Sequence, residues 1–134
     1  VIGSGGTIMG LSKYLKMEYP NIKIIAVEPS ESRVLSGGKP APHGIQGIGA
    51  NFIPSLVDVK QFDKIIGVST SEAIIGMKKA NGDYGTFVGI SSGAALMGSL
   101  KIANEYKDAN IITVFPDTGE RYLSVFDTNC NYCI

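Results

Sequence analysis

The sequence predicts an α/β chain built on an open, mostly parallel sheet with flanking helices. Three observations carry that expectation. Short apolar runs of strand length, IKIIAVE (22–28), KIIGVS (64–69), TFVGI (86–90) and NIITVF (110–115), recur along the chain. Segments of helical character separate them. The runs have continuous apolar centres instead of alternating, as in strands buried on both faces.

Val1-Ile2 reads as the end of a buried strand, and GSGGT (3–7) follows at once. Ile8, Leu11 and Leu15, with Tyr14 beside them, then recur at helical spacing until Pro20-Asn21 stops the helix. After the 22–28 strand, residues 29–55 are rich in Pro and Gly and carry little periodicity. A loop of that length in a compact domain is usually functional. Ser69 and Glu72 form a Ser-x-x-Glu capping box for a helix through about Lys79, with Asn81-Gly82 closing it. SSGAALMGSLKIANEY, from Ser91, is a helix with a small-residue start.

The bulk numbers exclude several classes. Twelve basic and twelve acidic side chains cancel, with no basic run, so nothing argues for nucleic acid or an anionic membrane as partner. No apolar stretch approaches the roughly 20 residues needed to span a bilayer. Cys130 and Cys133 sit together near the end, and the rest of the chain has no cysteine. A chance pair explains them better than half a zinc site, no metal site is expected, and the cysteine-free body fits a reducing, cytoplasmic setting. With no initiator Met and a ligand loop at residue 3, the chain is expected to be a piece of a longer one.

Three stretches could carry chemistry. In Gly3, Ser4, Gly5, Gly6 and Thr7, glycines let successive backbone N–H groups point into one space, and the helix start adds its positive end. A hydroxyl at Thr7 could donate as well. A tight turn with no ligand is the competing reading, but three glycines with Ser and Thr exceed what a turn needs. The loop therefore reads as a phosphate site without saying whose phosphate. Dinucleotide binding wants Gly-x-Gly-x-x-Gly and an acid at the end of the next strand. Glu28 stands there, but the third glycine falls on Ile8.

GISSGAA (89–95) opens a helix after a short strand. Ordinary capping by Ser91 or Ser92 is the bland reading, and a hydroxyl facing a ligand at the sheet edge is the functional one. HGIQGIGANFIP (43–54) has glycines at 44, 47 and 49 that permit close backbone approach. His43, the only histidine, reads as a surface residue sooner than a catalyst.

Taken together, GSGGTIMGLSKYLK, IAVEPSESRVLSGGKPAPHGIQGIGANFIP, VGISSGAA and PDTGERYLS resemble the cysteine synthase family, over about residues 1–124. These are the pyridoxal-phosphate enzymes also called O-acetylserine sulfhydrylases. The cystathionine β-synthase relatives are similar in fold and come second. A dinucleotide-binding domain and a non-catalytic, truncated remnant rank behind both.

The resemblance implies the C-terminal part of the larger domain of a tryptophan-synthase-β-like fold, in residues 1–124, with 125–134 a divergent tail. It implies that Gly3, Ser4, Gly5, Gly6 and Thr7 hold the phosphate of pyridoxal 5'-phosphate, with Ser4 in place of the commoner Thr. It implies that Ser91 faces the pyridine nitrogen, where a hydroxyl leaves the ring a milder electron sink than a carboxylate would. Gln46, Gly47, Ile48, Gly49 and Ala50 match the family's substrate and closure loop. Glu28 becomes a structural residue at a strand end.

The activity implied is replacement of the acetate of O-acetylserine by sulfide to give cysteine. The resemblance also implies a homodimer for the full-length parent, and serine acetyltransferase as a protein partner. The family's Schiff-base lysine stands upstream of the matched segment. No catalytic residue is therefore expected within these 134, and the chain alone is expected to be inactive.

Overall fold

The computed structural model describes residues 1–126. They fold as two compact units, Val1–Thr70 and Ser71 onward.

In the first unit, helix α1 (Gly6–Glu18) follows the glycine loop directly. Strands β1 (Ile25–Pro29) and β2 (Lys64–Val68) pair in parallel, with Ile25 opposite Lys64 and Pro29 opposite Val68. Parallel neighbours need a crossover connection, most often a helix. Here residues 30–63 make it as an irregular loop with one short helical turn, Val59–Gln61. The long Pro/Gly-rich segment is that crossover.

A core of Ile2, Ala26 and Val57 gathers Ile8, Leu35, Val59, Phe62 and Ile65 around it. The spacing in α1 suggested that Leu11 would point inward, yet Leu11 and Tyr14 are exposed and Ser12 is fully buried. The inward face runs through Ile8, Ser12 and Leu15. A serine there lets the helix axis lie nearer its support than leucine would allow.

In the second unit, helix α2 (Thr70–Tyr84) begins directly after Ser69, as the capping pattern required. It runs through Asn81-Gly82 instead of ending there. The left-handed residue is Gly85, at φ +62°. Asn81 is occupied otherwise: its side-chain amide donates to the Met77 carbonyl at 2.9 Å, and its Oδ1 accepts from the Val88 N–H at 3.0 Å.

Helix α3 (Ile90–Glu105) crosses α2 at glycines. A Cβ on Gly93 would lie 2.0 Å from the Ala73 carbonyl oxygen, and one on Gly76 2.3 Å from that of Gly93. Lys101 Nζ closes the same crossing with a 2.8 Å ion pair to Glu72.

Three expected strand segments are absent among the described residues. Val1-Ile2 is irregular backbone, although Ile2 is buried as expected. TFVGI yields a single antiparallel bridge, Val88 to Thr118, because α3 already starts at Ile90. NIITVF has no ladder partner, and its Ile112 is 91% exposed. Apolar runs of strand composition become strands only where a neighbouring backbone answers their N–H and C=O groups. A short turn, Gly119–Tyr122, and helix α4 (Leu123–Phe126) end the described chain. Cys130, Cys133 and the rest of the 125–134 tail beyond Phe126 lie outside the described residues.

Candidate functional site

The GSGGT loop turns on Gly5. At φ +90° this residue is left-handed, and it is the N-cap of α1. Any Cβ there would also meet Val57 Cγ2 at 2.3 Å, so both conformation and space require glycine. The turn points the chain so that α1 starts at Gly6, with Ser4, Gly6 and Thr7 exposed.

An α-helix leaves its first N–H groups without intrahelical acceptors, and its N-terminus carries partial positive charge. No acidic side chain occupies the first turn of α1, so nothing within the helix offsets that charge. Exposed backbone donors, two hydroxyls and an uncompensated helix end form a donor set that fits a phosphate.

The 46–50 loop lies against this turn. The Gly49 N–H donates to the Ile2 carbonyl at 3.1 Å. The Gly47 carbonyl oxygen sits 2.6 Å from where a Cβ on Gly3 would be. The structure thus brings together two of the three stretches that the sequence singled out. Gly47 and Gly49 are both left-handed, at φ +83° and +63°. Ile48 is buried, while Gln46 and Ala50 are exposed.

Residues that sequence reasoning left aside hold the loop in place. Ser32 Oγ donates to Asn51 Oδ1 at 2.7 Å and accepts from the Ala41 N–H at 3.3 Å. The Gly44 N–H donates to Thr70 Oγ1 at 2.9 Å, and the Thr70 N–H donates to Glu31 Oε1 at 2.7 Å. Burial would raise the Glu31 pKa, but the hydrogen bonds from Thr70 hold its carboxyl below the usual range.

Glu28 is 2% exposed. Its carboxylate accepts from the Leu35 N–H at 2.8 Å and from the Ser36 hydroxyl, and it pairs with Arg33 Nε at 3.5 Å. A carboxylate so engaged inside the protein is not presented to a ribose, which removes the main support for a dinucleotide site.

In the second unit, α3 starts at Ile90 with Gly89 as N-cap, so Ser91 and Ser92 are helix residues instead of the cap. The capping group comes from Asp117, which the sequence reading did not single out. Its carboxylate accepts from the Ser91 N–H at 3.1 Å and the Ser92 N–H at 2.9 Å. The Ser92 hydroxyl also bonds this carboxylate, and the Asp117 N–H donates to Ser92 Oγ at 3.3 Å.

Burial would raise the Asp117 pKa. The bonds from Ser92, then Ser91, outweigh it and hold the carboxyl below its ordinary value of 3.8. Gly89 makes the approach possible, since a Cβ there would stand 2.4 Å from Asp117 Oδ2. Asp117 lies 25 residues beyond Ser92, inside the PDTGER stretch, too far along the chain for a local capping pattern to mark it.

A family model described as pyridoxal-phosphate dependent enzyme matches residues 1–117. A cysteine synthase of Staphylococcus aureus is 47% identical over 124 residues, covering 92% of this chain and 40% of that protein. Among solved structures, cysteine synthase from Entamoeba histolytica superposes with a TM-score of 0.89 at 44% identity, over 92% of this chain and 37% of the other. The O-acetylserine dependent cystathionine β-synthase from Helicobacter pylori gives 0.83 at 42% identity, over 92% and 40%. The chain spans about two fifths of the length of the curated relatives it matches.

Proposed function

We propose, from the premise that the chain belongs to the pyridoxal-phosphate dependent enzyme family, that it is the cofactor-cradling segment of a cysteine synthase. The observation that carries this reading is the left-handed Gly5 turn opening α1, with exposed donors and no acidic residue in the first turn. Gly3, Ser4, Gly5, Gly6 and Thr7 hold the cofactor phosphate through backbone N–H groups and the two hydroxyls. When bound, pyridoxal phosphate supplies an electron sink for loss of the leaving group at the β-carbon of an amino acid.

Ser91 is the hydroxyl for the pyridine nitrogen. Ser92 is committed to Asp117 through its hydroxyl, its own N–H and the Asp117 N–H, whereas Ser91 has a backbone bond to the same carboxylate. Gln46–Ala50 forms the substrate-side wall, hydrogen-bonded to Ile2 just before the cradle. The reaction of the whole polypeptide is exchange of the acetate of O-acetylserine for sulfide, a reading supported by likeness to proteins named cysteine synthase. An O-acetylserine dependent cystathionine β-synthase reaction is the second reading, and the Helicobacter pylori structure favours it. The two share the amino-acid donor and differ in the thiol.

The test uses a full-length cysteine synthase carrying residues 1–124. Given O-acetylserine, it should form cysteine with sulfide faster than cystathionine with homocysteine. Ser91→Ala should slow the reaction more than it lowers cofactor content. Greater loss of rate in Ser92→Ala would contradict the assignment, and a preference for homocysteine would select the second reading.

A further inference from the structure

We propose that His43 is a positioning residue, a latch that sets the 46–50 loop against the backbone feeding the phosphate cradle. The inference rests on the reading of Gly3–Thr7 as a phosphate site and adds to it a residue that the sequence left as a bystander.

The geometry is a short chain of bonds. His43 Nε2–H donates to the Gly49 carbonyl at 2.8 Å. His43 Nδ1 accepts from the Ile45 N–H at 3.3 Å. The two bonds together define the tautomer, with the proton on Nε2 and the lone pair on Nδ1. Gly49 then uses its own N–H on the Ile2 carbonyl at 3.1 Å. One residue, gripped by the imidazole on its C=O side, therefore ties the loop to the backbone immediately before Gly3.

The grip needs glycine. A Cβ on Gly49 would meet His43 Nε2 and Pro29 Cγ, each at 2.6 Å, and its φ of +63° is left-handed. On the other side, the Gly47 carbonyl oxygen lies 2.6 Å from where a Gly3 Cβ would be, so movement of the loop is felt at Gly3 directly. His43 itself is half-buried, and Ile45 and Ile48 on either side of the latch are 1% and 7% exposed. The imidazole bridges a turn whose apolar residues already anchor it, and it fixes the backbone between them.

The experiment compares the 134-residue chain with His43→Ala, His43→Gln and His43→Asn. Amide exchange by NMR reads the latch, and the apparent Kd for inorganic phosphate reads the cradle. A lost hydrogen bond of ordinary net worth corresponds to about tenfold in an opening equilibrium. His43→Ala should speed exchange at Gly49 and Ile45 by about that factor, leave Ala26 and Val27 in β1 unchanged, and weaken phosphate binding several-fold. Gln can supply the donor at Nε2, so it should restore protection at Gly49 and not at Ile45. Asn can supply the acceptor at Nδ1, so it should do the reverse.

Exchange at Gly49 within twofold of wild type in His43→Ala would overturn the latch. Faster exchange with phosphate affinity unchanged would overturn its link to the cradle. Should His43→Ala lose β1 protection as well, the opposite patterns of Gln and Asn decide, and identical patterns in the two would overturn the proposal. Failure of the wild-type chain to bind phosphate at all would count against the functional reading, while the exchange results still judge the latch by itself.

Discussion

Ser91 and Ser92 are chemically identical neighbours that the fold makes unequal, and the difference lies in Asp117. Ser92 bonds it through hydroxyl and backbone, so Ser92→Ala leaves a half-buried carboxylate short of one donor. That change should cost about 1–2 kcal/mol of stability in urea unfolding, with Ser91→Ala costing less. Asp117→Asn carries a pH signature. The folded-state pKa of Asp117 is lowered, so its contribution is present above the ordinary 3.8 and is lost as pH falls through the lower folded value. The stability gap between wild type and Asp117→Asn should therefore be widest near neutrality and close in acid. A gap independent of pH would show that charge at Asp117 plays no part in capping α3. From sequence alone, only the pair of serines was legible. Asp117 was not, because a cap supplied from 25 residues away leaves no local pattern.

The elements show where composition suffices and where it does not. The starts of α1 and α2 could be read from glycine and capping patterns, because helix starts are set by local chemistry. The strands expected at 86–90 and 110–115 do not form among the described residues, because a ladder needs a partner whose position no local pattern states. The inward face of α1 is a related case: burial of Ser12 in place of Leu11 reflects closeness of packing, which hydrophobicity does not encode. Glycines within helices separate the two kinds of constraint. Gly82, exposed in α2 with open space around it, should accept alanine with a gain of about 0.5–1 kcal/mol. Gly93→Ala should instead cost about 1–3 kcal/mol or more, because its Cβ would meet the α2 backbone at Ala73 and Met77. Thermal unfolding of the two variants should shift Tm in opposite directions. A rise for both would mean that α2 and α3 do not cross as closely as described.

At the scale of the molecule, zero net charge means that anion binding cannot come from a general positive field. It has to come from the local geometry at Gly3–Thr7, where the left-handed Gly5, the free start of α1 and the 46–50 loop meet. The most direct measurement is calorimetric titration of the 134-residue chain with pyridoxal phosphate and with pyridoxal, which differ only in the phosphate, repeated with Gly5→Asp. With a phosphate cradle at Gly3–Thr7, pyridoxal phosphate should bind at least about tenfold more tightly than pyridoxal, inorganic phosphate should compete with it, and Gly5→Asp should abolish the difference by setting a carboxylate at the positive helix end. Equal affinity for the two compounds, or a preference for the phosphate that survives in Gly5→Asp, would contradict it.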